Sequence, residues 1–134
     1  MVKGAEVNHR TSGTIGYLDF PRDVTAQTRE SAYRAYSDLA RERVLVVGMN
    51  FEASDYLNSA GIGLVISLVE DATHAGRRVF GYGLSSHYRK LFGMVGLVER
   101  MTLVADEAAM LVQVQAASGS ADEDARPDSP GGAR

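Results

Sequence analysis

One serine in this chain stands where a hydroxyl is well placed for chemical modification. The run Asn58-Ser59-Ala60-Gly61 ends a long loop from Gly48 and opens the strongest helical pattern in the sequence. At a helix start, Ser59 lies near unpaired backbone N–H groups and in the positive end of the helix dipole. A phosphoryl group, which adds about −1.5 to −2 charge, is tolerated at such a position. Ser59 is therefore the candidate phosphoacceptor, and capping of the helix is its alternative role.

Other kinds of reactive site have little support. The chain has no cysteine, so thiolate ligands and cysteine nucleophiles are excluded. The three histidines, His9, His74 and His87, fall on separate predicted elements without the spacing of metal ligands. Glycine pairs such as Gly81 and Gly83 match neither a P-loop nor a dinucleotide fingerprint, and no Gly-x-Ser-x-Gly elbow surrounds Ser59. We predict no catalytic residue, no metal site and no cofactor.

The elements that must position Ser59 alternate between strands and helices. Apolar periodicity predicts strands at 5–9, 14–20, 44–47, 78–82 and 101–104. It predicts helices at 25–41, 60–75, a short one capped by Ser85, and a last one capped by Asp106. The order is ββαβαβαβα, which is typical of a single α/β domain. We expect a mixed sheet of about five strands with about four helices packed on it.

The composition changes at residue 116. Residues 1–115 form the predicted domain, whereas residues 116–134 contain mainly Ala, Ser, Gly, Asp and Pro and no large apolar side chain. Four acidic residues and two arginines give this segment −2 of the chain's formal charge of −3. Because it cannot bury apolar surface, we predict a disordered acidic tail.

Charge and hydropathy limit the kinds of partner. A net charge of −3, with no basic residues clustered with aromatics, argues against nucleic-acid binding. The pairs Arg77-Arg78 and Arg89-Lys90 are expected to belong to a solvated face. The chain start lacks the apolar run of a signal peptide, and the apolar runs are too short to span a bilayer. We predict a cytoplasmic protein that does not insert into membranes.

The loop and helix start resemble the signature of the STAS domain family. The run 55–64 (DYLNSAGIGL) is similar to that signature, which reads aspartate, serine, serine or alanine, glycine and then an apolar helix. The runs 75–80 and 91–97 and the helix from Asp106 are similar to the family's later landmarks. The resemblance covers roughly residues 5–115, and the stand-alone members that the chain most resembles are bacterial anti-sigma factor antagonists.

The resemblance implies transcription regulation by partner switching. The chain would bind an anti-sigma factor that is also a serine kinase, phosphorylation of Ser59 would break the complex, and a serine phosphatase would restore it. Asn58 departs from the family's usual aspartate. The residues that the resemblance places on the partner surface are Asp19, Asp23, Asp55, Asn58, Ser59, Ala60, Gly61 and Gly83.

Two other functions remain open at this point. The same fold could serve as a structural subunit of a stress-signalling scaffold or of a lipid-transporter complex, with Ser59 only capping the helix. The Asn58 departure slightly favours this alternative. A small enzyme or nucleotide-binding protein would require a pocket with convergent polar groups, which the sequence does not indicate.

Overall fold

A computed structural model of the chain describes the backbone of residues 6–124 and the side chains of residues 6–116. The strands are β1 (Asn8–Ser12), β2 (Ile15–Asp19), β3 (Asp23–Val24), β4 (Val46–Asn50), β5 (Tyr56–Leu57), β6 (Arg78–Tyr82) and β7 (Thr102–Val104). The helices are α1 (Arg29–Arg41), α2 (Ser59–His74), α3 (Ser86–Met94) and α4 (Glu107–Asp124). Short 3₁₀ turns precede α1, at Ala26–Thr28, and β7, at Leu97–Glu99.

The main sheet has the strand order β1-β2-β4-β6-β7. Only β1 runs antiparallel to its neighbour, because a tight hairpin through Gly13 joins it to β2. The remaining pairs are parallel, and β4 lies at the centre, as its β-branched run predicts. The predicted mixed α/β sheet is confirmed.

Helices cover both faces of this sheet. The larger core joins one face to α1, α2 and α3, and the predicted α1 stripe of Ala32, Ala35, Tyr36 and Leu39 is buried in it. The smaller core lies under α4 on the other face and contains Tyr17, Val46, Phe80, Tyr82 and Met110.

Four local features differ from the sequence-based expectations. The first strand, predicted at 5–9, lies at Asn8–Ser12, where its residues pair with β2 across the hairpin. The central strand begins at Val46 rather than Val44, because its residues pair with β2 on one side and β6 on the other as far as Asn50. The two-residue strands β3 and β5 form a second small sheet that the sequence did not indicate. Val112, expected on the core side of α4, is 66% exposed, and Met110 is buried instead.

The end of α4 crosses the predicted domain boundary. Its backbone continues past residue 115 to Asp124, in keeping with the high helix propensity of the alanines there. Residues 125–134 of the predicted tail lie outside the described residues, and their disorder stays a prediction. None of the helices within 6–124 is long and apolar enough to cross a membrane.

Candidate functional site

The segment that leads into Ser59 is tied down by the small sheet. Val24 of β3 pairs with Leu57 of β5, and both side chains are buried. The Asn58 N–H donates to the Val24 carbonyl oxygen at 3.3 Å, and the Leu57 N–H donates to the Tyr88 hydroxyl of α3 at 3.0 Å. The start of α2 therefore has a fixed position between β3 and α3.

Asn58, and not Ser59, caps α2. Its backbone is extended, its side-chain Oδ1 accepts a hydrogen bond from the Gly61 N–H at 2.9 Å, and its carbonyl accepts one from Ile62. The alternative role predicted for Ser59, helix capping, is therefore wrong. An asparagine and an aspartate both supply the acceptor oxygen that a cap requires. Asparagine at position 58, in place of the aspartate of the STAS signature, thus keeps the local structure and removes only a charge.

Ser59 is the first residue of α2, and its side chain is exposed. Among the described residues, no hydrogen bond occupies its hydroxyl. The first N–H groups of a helix have no acceptor within it, so an anion on Ser59 would meet donors and the positive end of the helix dipole. The hydroxyl is thus accessible and free of a structural role.

Gly61 is required by close packing. A Cβ atom at this position would lie 2.0 Å from the Val24 carbonyl oxygen, far inside contact distance. Gly61 therefore lets the first turn of α2 approach β3. Ala60, between Ser59 and Gly61, is exposed.

Gly83 has a structural role at the end of β6. Its φ of 86° lies in the left-handed region that favours glycine, and a Cβ would lie 2.6 Å from the Glu52 backbone nitrogen. The Phe51 N–H also donates to the Tyr82 carbonyl oxygen at 2.9 Å. Gly83 thus lets the loop after β4, which leads to Ser59, pack against the end of β6.

Asp19 is held by internal contacts at the carboxyl edge of the sheet. Its carboxylate accepts hydrogen bonds from Arg10 Nε at 2.9 Å and from Asn50 Nδ2 at 2.8 Å. Arg10 also contacts Glu107 of α4 at 3.4 Å, and its hydrogen bond to Asp19 is the main cause of its raised pKa. Arg10 and Asn50 were not predicted as site residues. Asn50 lies opposite Asp19 at the ends of β4 and β2, whereas Arg10 reaches Asp19 from the middle of β1.

The other two predicted acids flank the small sheet. Asp23 lies opposite Tyr56 and is exposed. Asp55 forms an ion pair with Arg22 at 3.0 Å, with both side chains largely in solvent. Asp23 and Asp55 therefore lie on the segments that hold the start of α2, whereas Asp19 and Gly83 lie at the edge of the main sheet.

A groove beside Ser59 was not predicted. It encloses about 550 Å³ between β5, α2 and α3. The residues that line it are Tyr56, Leu57, Asn58, Ser59, Ile62, Gly63, Ile66 and Leu91. No charged side chain of the described residues is among them. The groove is therefore an apolar surface adjoining the candidate phosphoacceptor.

The histidines are dispersed. His9 faces Asp38 of α1 and Glu42 just after that helix, His74 contacts the Glu70 carbonyl oxygen, and His87 packs against Tyr88. Among the side chains that the structure describes, residues 6–116, no cluster of three or more potential ligands could hold a metal ion.

Comparison with solved structures shows which proteins share this fold. The anti-sigma factor antagonist SpoIIAA in its unphosphorylated form matches with a TM-score of 0.64 and 18% identity, over 81% of this chain and 97% of that chain. The Bacillus cell fate determinant SpoIIAA in the phosphorylated form gives 0.62 and 20%, over 78% and 96%. An anti-sigma factor antagonist from Mycobacterium paratuberculosis gives 0.66 and 14%, over 81% and 92%.

No family model matches the sequence, and no curated protein matches it. The structural matches span most of this chain and nearly all of each neighbour. The fold is therefore that of the anti-sigma factor antagonists, and the resemblance to STAS domains is confirmed at the level of the fold.

Proposed function

We propose that this chain, which has the fold of the anti-sigma factor antagonists, sequesters an anti-sigma factor and is switched off by phosphorylation of Ser59. The observation that carries the proposal is the exposed Ser59 hydroxyl at the first residue of α2, where Asn58 supplies the cap. A neighbour with the same fold is known in a phosphorylated form. The chain is thus a regulatory binding protein of bacterial transcription rather than an enzyme.

The surroundings of Ser59 suit reversible modification. The hydroxyl is exposed to an incoming kinase, and modification would break no cap because Asn58 makes that bond. The phosphoryl group would add about −1.5 to −2 charge at the positive end of a helix dipole. The fold should therefore tolerate both states of the serine.

A bound partner would not tolerate both states. A like-charge or unpaired charge inside an interface costs several kcal/mol, and about 1.4 kcal/mol changes an equilibrium tenfold. Phosphorylation would thus release the partner without unfolding the chain. The partners are an anti-sigma factor with serine-kinase activity and a serine phosphatase.

The proposed contact surface surrounds α2's first turn. Asn58, Ser59 and Ala60 would contact the partner directly, with Asp23 and Asp55 at the flank. Gly61, Gly83 and Asp19 would act by holding the surface in place, since their contacts are internal.

Charge substitution at two matched serines tests the proposal. Ser86 is also the exposed first residue of a helix whose cap is the preceding residue, Ser85, so Ser86→Asp is the control for Ser59→Asp. Affinity for the anti-sigma factor, identified by co-purification, is measured by calorimetry. We expect Ser59→Asp to weaken binding by about 100-fold or more, whereas Ser59→Ala and Ser86→Asp bind like the parent chain.

Equal binding by Ser59→Asp and Ser59→Ala would reject the switch. The alternative, a structural subunit of a scaffold or transporter complex, would then account for the fold. Loss of binding in Ser59→Ala as well would show that the hydroxyl itself is a contact and not only a phosphoacceptor.

A further inference from the structure

Gly63 is a glycine that the fold itself does not require. It lies within α2, where glycine disfavours the helix relative to alanine. A Cβ atom at this position would meet nothing within 4 Å, and the residue has no left-handed φ. In contrast to Gly61, neither packing nor backbone conformation explains it. Gly63 does line the apolar groove beside Ser59.

The groove has an unpartnered apolar surface. Tyr56 at one end is 50% exposed, and Ile66 and Leu91 are only partly buried. Met94 is one helical turn beyond Leu91 on the same side of α3, and it is 76% exposed. Because glycine has no side chain, the groove is deeper at this position, and another chain can approach the backbone of α2 closely.

The outer border of the groove on α3, here called its rim, has basic residues nearby that do not line the groove itself. Arg89 and Lys90 are the only formally charged residues between Ser86 and Met94, and both are exposed. Lys90 is three residues after His87 and four before Met94, so it lies next to the surface of Leu91 and Met94. A segment seated in the groove with carboxylates toward α3 would be complementary to this rim.

We propose that the groove binds an acidic amphipathic segment of the protein partner, with Gly63 as the point of closest approach. The inference rests on the proposed function and identifies the chemistry of the partner. The inference also explains why phosphorylation would weaken partner binding. A phosphoryl group on Ser59 is negative and lines the same groove, so it repels an acidic segment.

Designed peptides test the groove without a known partner. The probe is an 18-residue helical peptide with leucines on one face and glutamates on the other, and its matched control carries lysines in place of the glutamates. Binding to the full chain is followed by NMR. We expect the acidic peptide to shift the amide signals of Gly63, Ile66 and Leu91 and to bind at least fivefold more tightly than the basic peptide.

Two variants and one control locate the contact. Gly63→Glu should weaken binding of the acidic peptide at least tenfold, and Lys90→Glu should weaken it about threefold. Gly93→Glu changes another helical glycine whose Cβ would also meet nothing within 4 Å, but it lies outside the groove and should leave binding within twofold. A circular dichroism melt of each variant separates lost binding from lost folding.

The outcomes separate this inference from the proposed function. Absence of acidic-peptide binding, equal binding of both peptides, or shifts away from the groove would overturn the inference, even if Ser59→Asp still released the anti-sigma factor. Groove binding by the acidic peptide together with a partner complex that ignores Ser59→Asp would uphold the inference about the groove and reject the switch.

Discussion

Asn58 and Ser59 divide two tasks at the start of α2. The Asn58 side chain satisfies the Gly61 N–H, and the Ser59 hydroxyl is exposed and has no hydrogen-bond partner in the described part of the chain. A residue that both capped the helix and accepted a phosphoryl group would lose its cap on each modification. The separation allows the charge at Ser59 to change while the helix start stays intact.

Substitutions at Asn58 test the capping role. Asn58→Ala should lower the free energy of unfolding by about 1 kcal/mol, because the Gly61 N–H loses its acceptor. Asn58→Asp should stay within about 0.5 kcal/mol of the parent chain, since the cap is kept and a carboxylate suits the helix dipole. Urea unfolding measures both. An unchanged stability in Asn58→Ala would contradict the assigned cap.

Tyr82 has a buried hydroxyl beneath α4. Its side chain is 1% exposed, and the hydroxyl has no hydrogen-bond partner among the described residues. Burial, and then the nearby Glu107 carboxylate, raises the pKa of Tyr82 above its ordinary value. The folded chain therefore holds this phenol neutral at pH values where the unfolded chain ionises it.

Tyr82→Phe should leave the chain as stable or up to about 2 kcal/mol more stable at pH 7, because it removes a buried unsatisfied hydroxyl. A raised pKa in the folded state gives stability that is lost as the pH rises above the unfolded value, about 10. The variant should thus lose less stability than the parent chain between pH 9 and pH 11. Chemical unfolding across this range measures both, and a strong destabilisation at pH 7 would show that the hydroxyl has a partner.

At the scale of elements, α2 contains two glycines with opposite requirements. Gly61 lies against the Val24 carbonyl and has no room for a methyl group, whereas Gly63 faces open space. The first keeps α2 against β3, and the second shapes the surface beside Ser59. The same helix therefore combines a packing constraint with a proposed binding feature two residues apart.

Alanine substitutions should separate these two requirements. Gly61→Ala should lower the free energy of unfolding by at least about 2 kcal/mol, since its Cβ overlaps backbone that cannot easily move. Gly63→Ala should raise it by about 0.5–1 kcal/mol through higher helix propensity. Thermal and urea unfolding test both values. A Gly63→Ala variant that unfolds more easily would mean that the helix needs this glycine.

Most helices and main strands followed from the sequence because they bury an apolar pattern, whereas β1 is largely exposed and lies three residues later than predicted. The α1 stripe of Ala32, Ala35, Tyr36 and Leu39 is an example in which the helical period specifies the buried face. The small sheet did not follow, because β3 and β5 have two residues each and owe their pairing to tertiary contacts. The capping role offered as the alternative for Ser59 was wrong for a related reason: Asn58 and Ser59 are both good caps, and only the backbone at the turn decides between them.

The site was only partly predictable. Ser59 and its neighbours lie on one continuous run of sequence, so the pattern of loop and helix indicates them. The groove depends on Leu91 of α3, which is distant in sequence and joins Ser59 only through packing. Asp19 was predicted from the sequence, but its contacts with Arg10 and Asn50 are visible only once the strands are aligned.

The molecule as a whole presents two unequal faces of one sheet. Among the described helices, α1, α2 and α3 bury most of the core on one side, and α4 covers the other. The apolar contacts described for α4 come from Met110, Leu111 and Val114, all before residue 116. The described apolar contacts of α4 thus all lie within the predicted domain, residues 1–115.

Deletion of residues 118–134 tests this division. The melting temperature should change by less than about 2 °C, because residues 118–134 contain no large apolar side chain to bury. A loss of about 1 kcal/mol in the free energy of unfolding would lower the melting temperature of a domain of this size by about 2 °C or more. Differential scanning calorimetry of the full and shortened chains makes the comparison. A large drop would show that the deleted residues dock on the domain.

The phosphorylation switch is tested most directly on the protein from its own host. The intact mass of the chain, purified from growing and from stressed cells, would be measured together with fragmentation of the peptide that contains Ser59. The account predicts a phosphoryl group on Ser59 whose occupancy changes between the two conditions. An unmodified Ser59 in both conditions would contradict it.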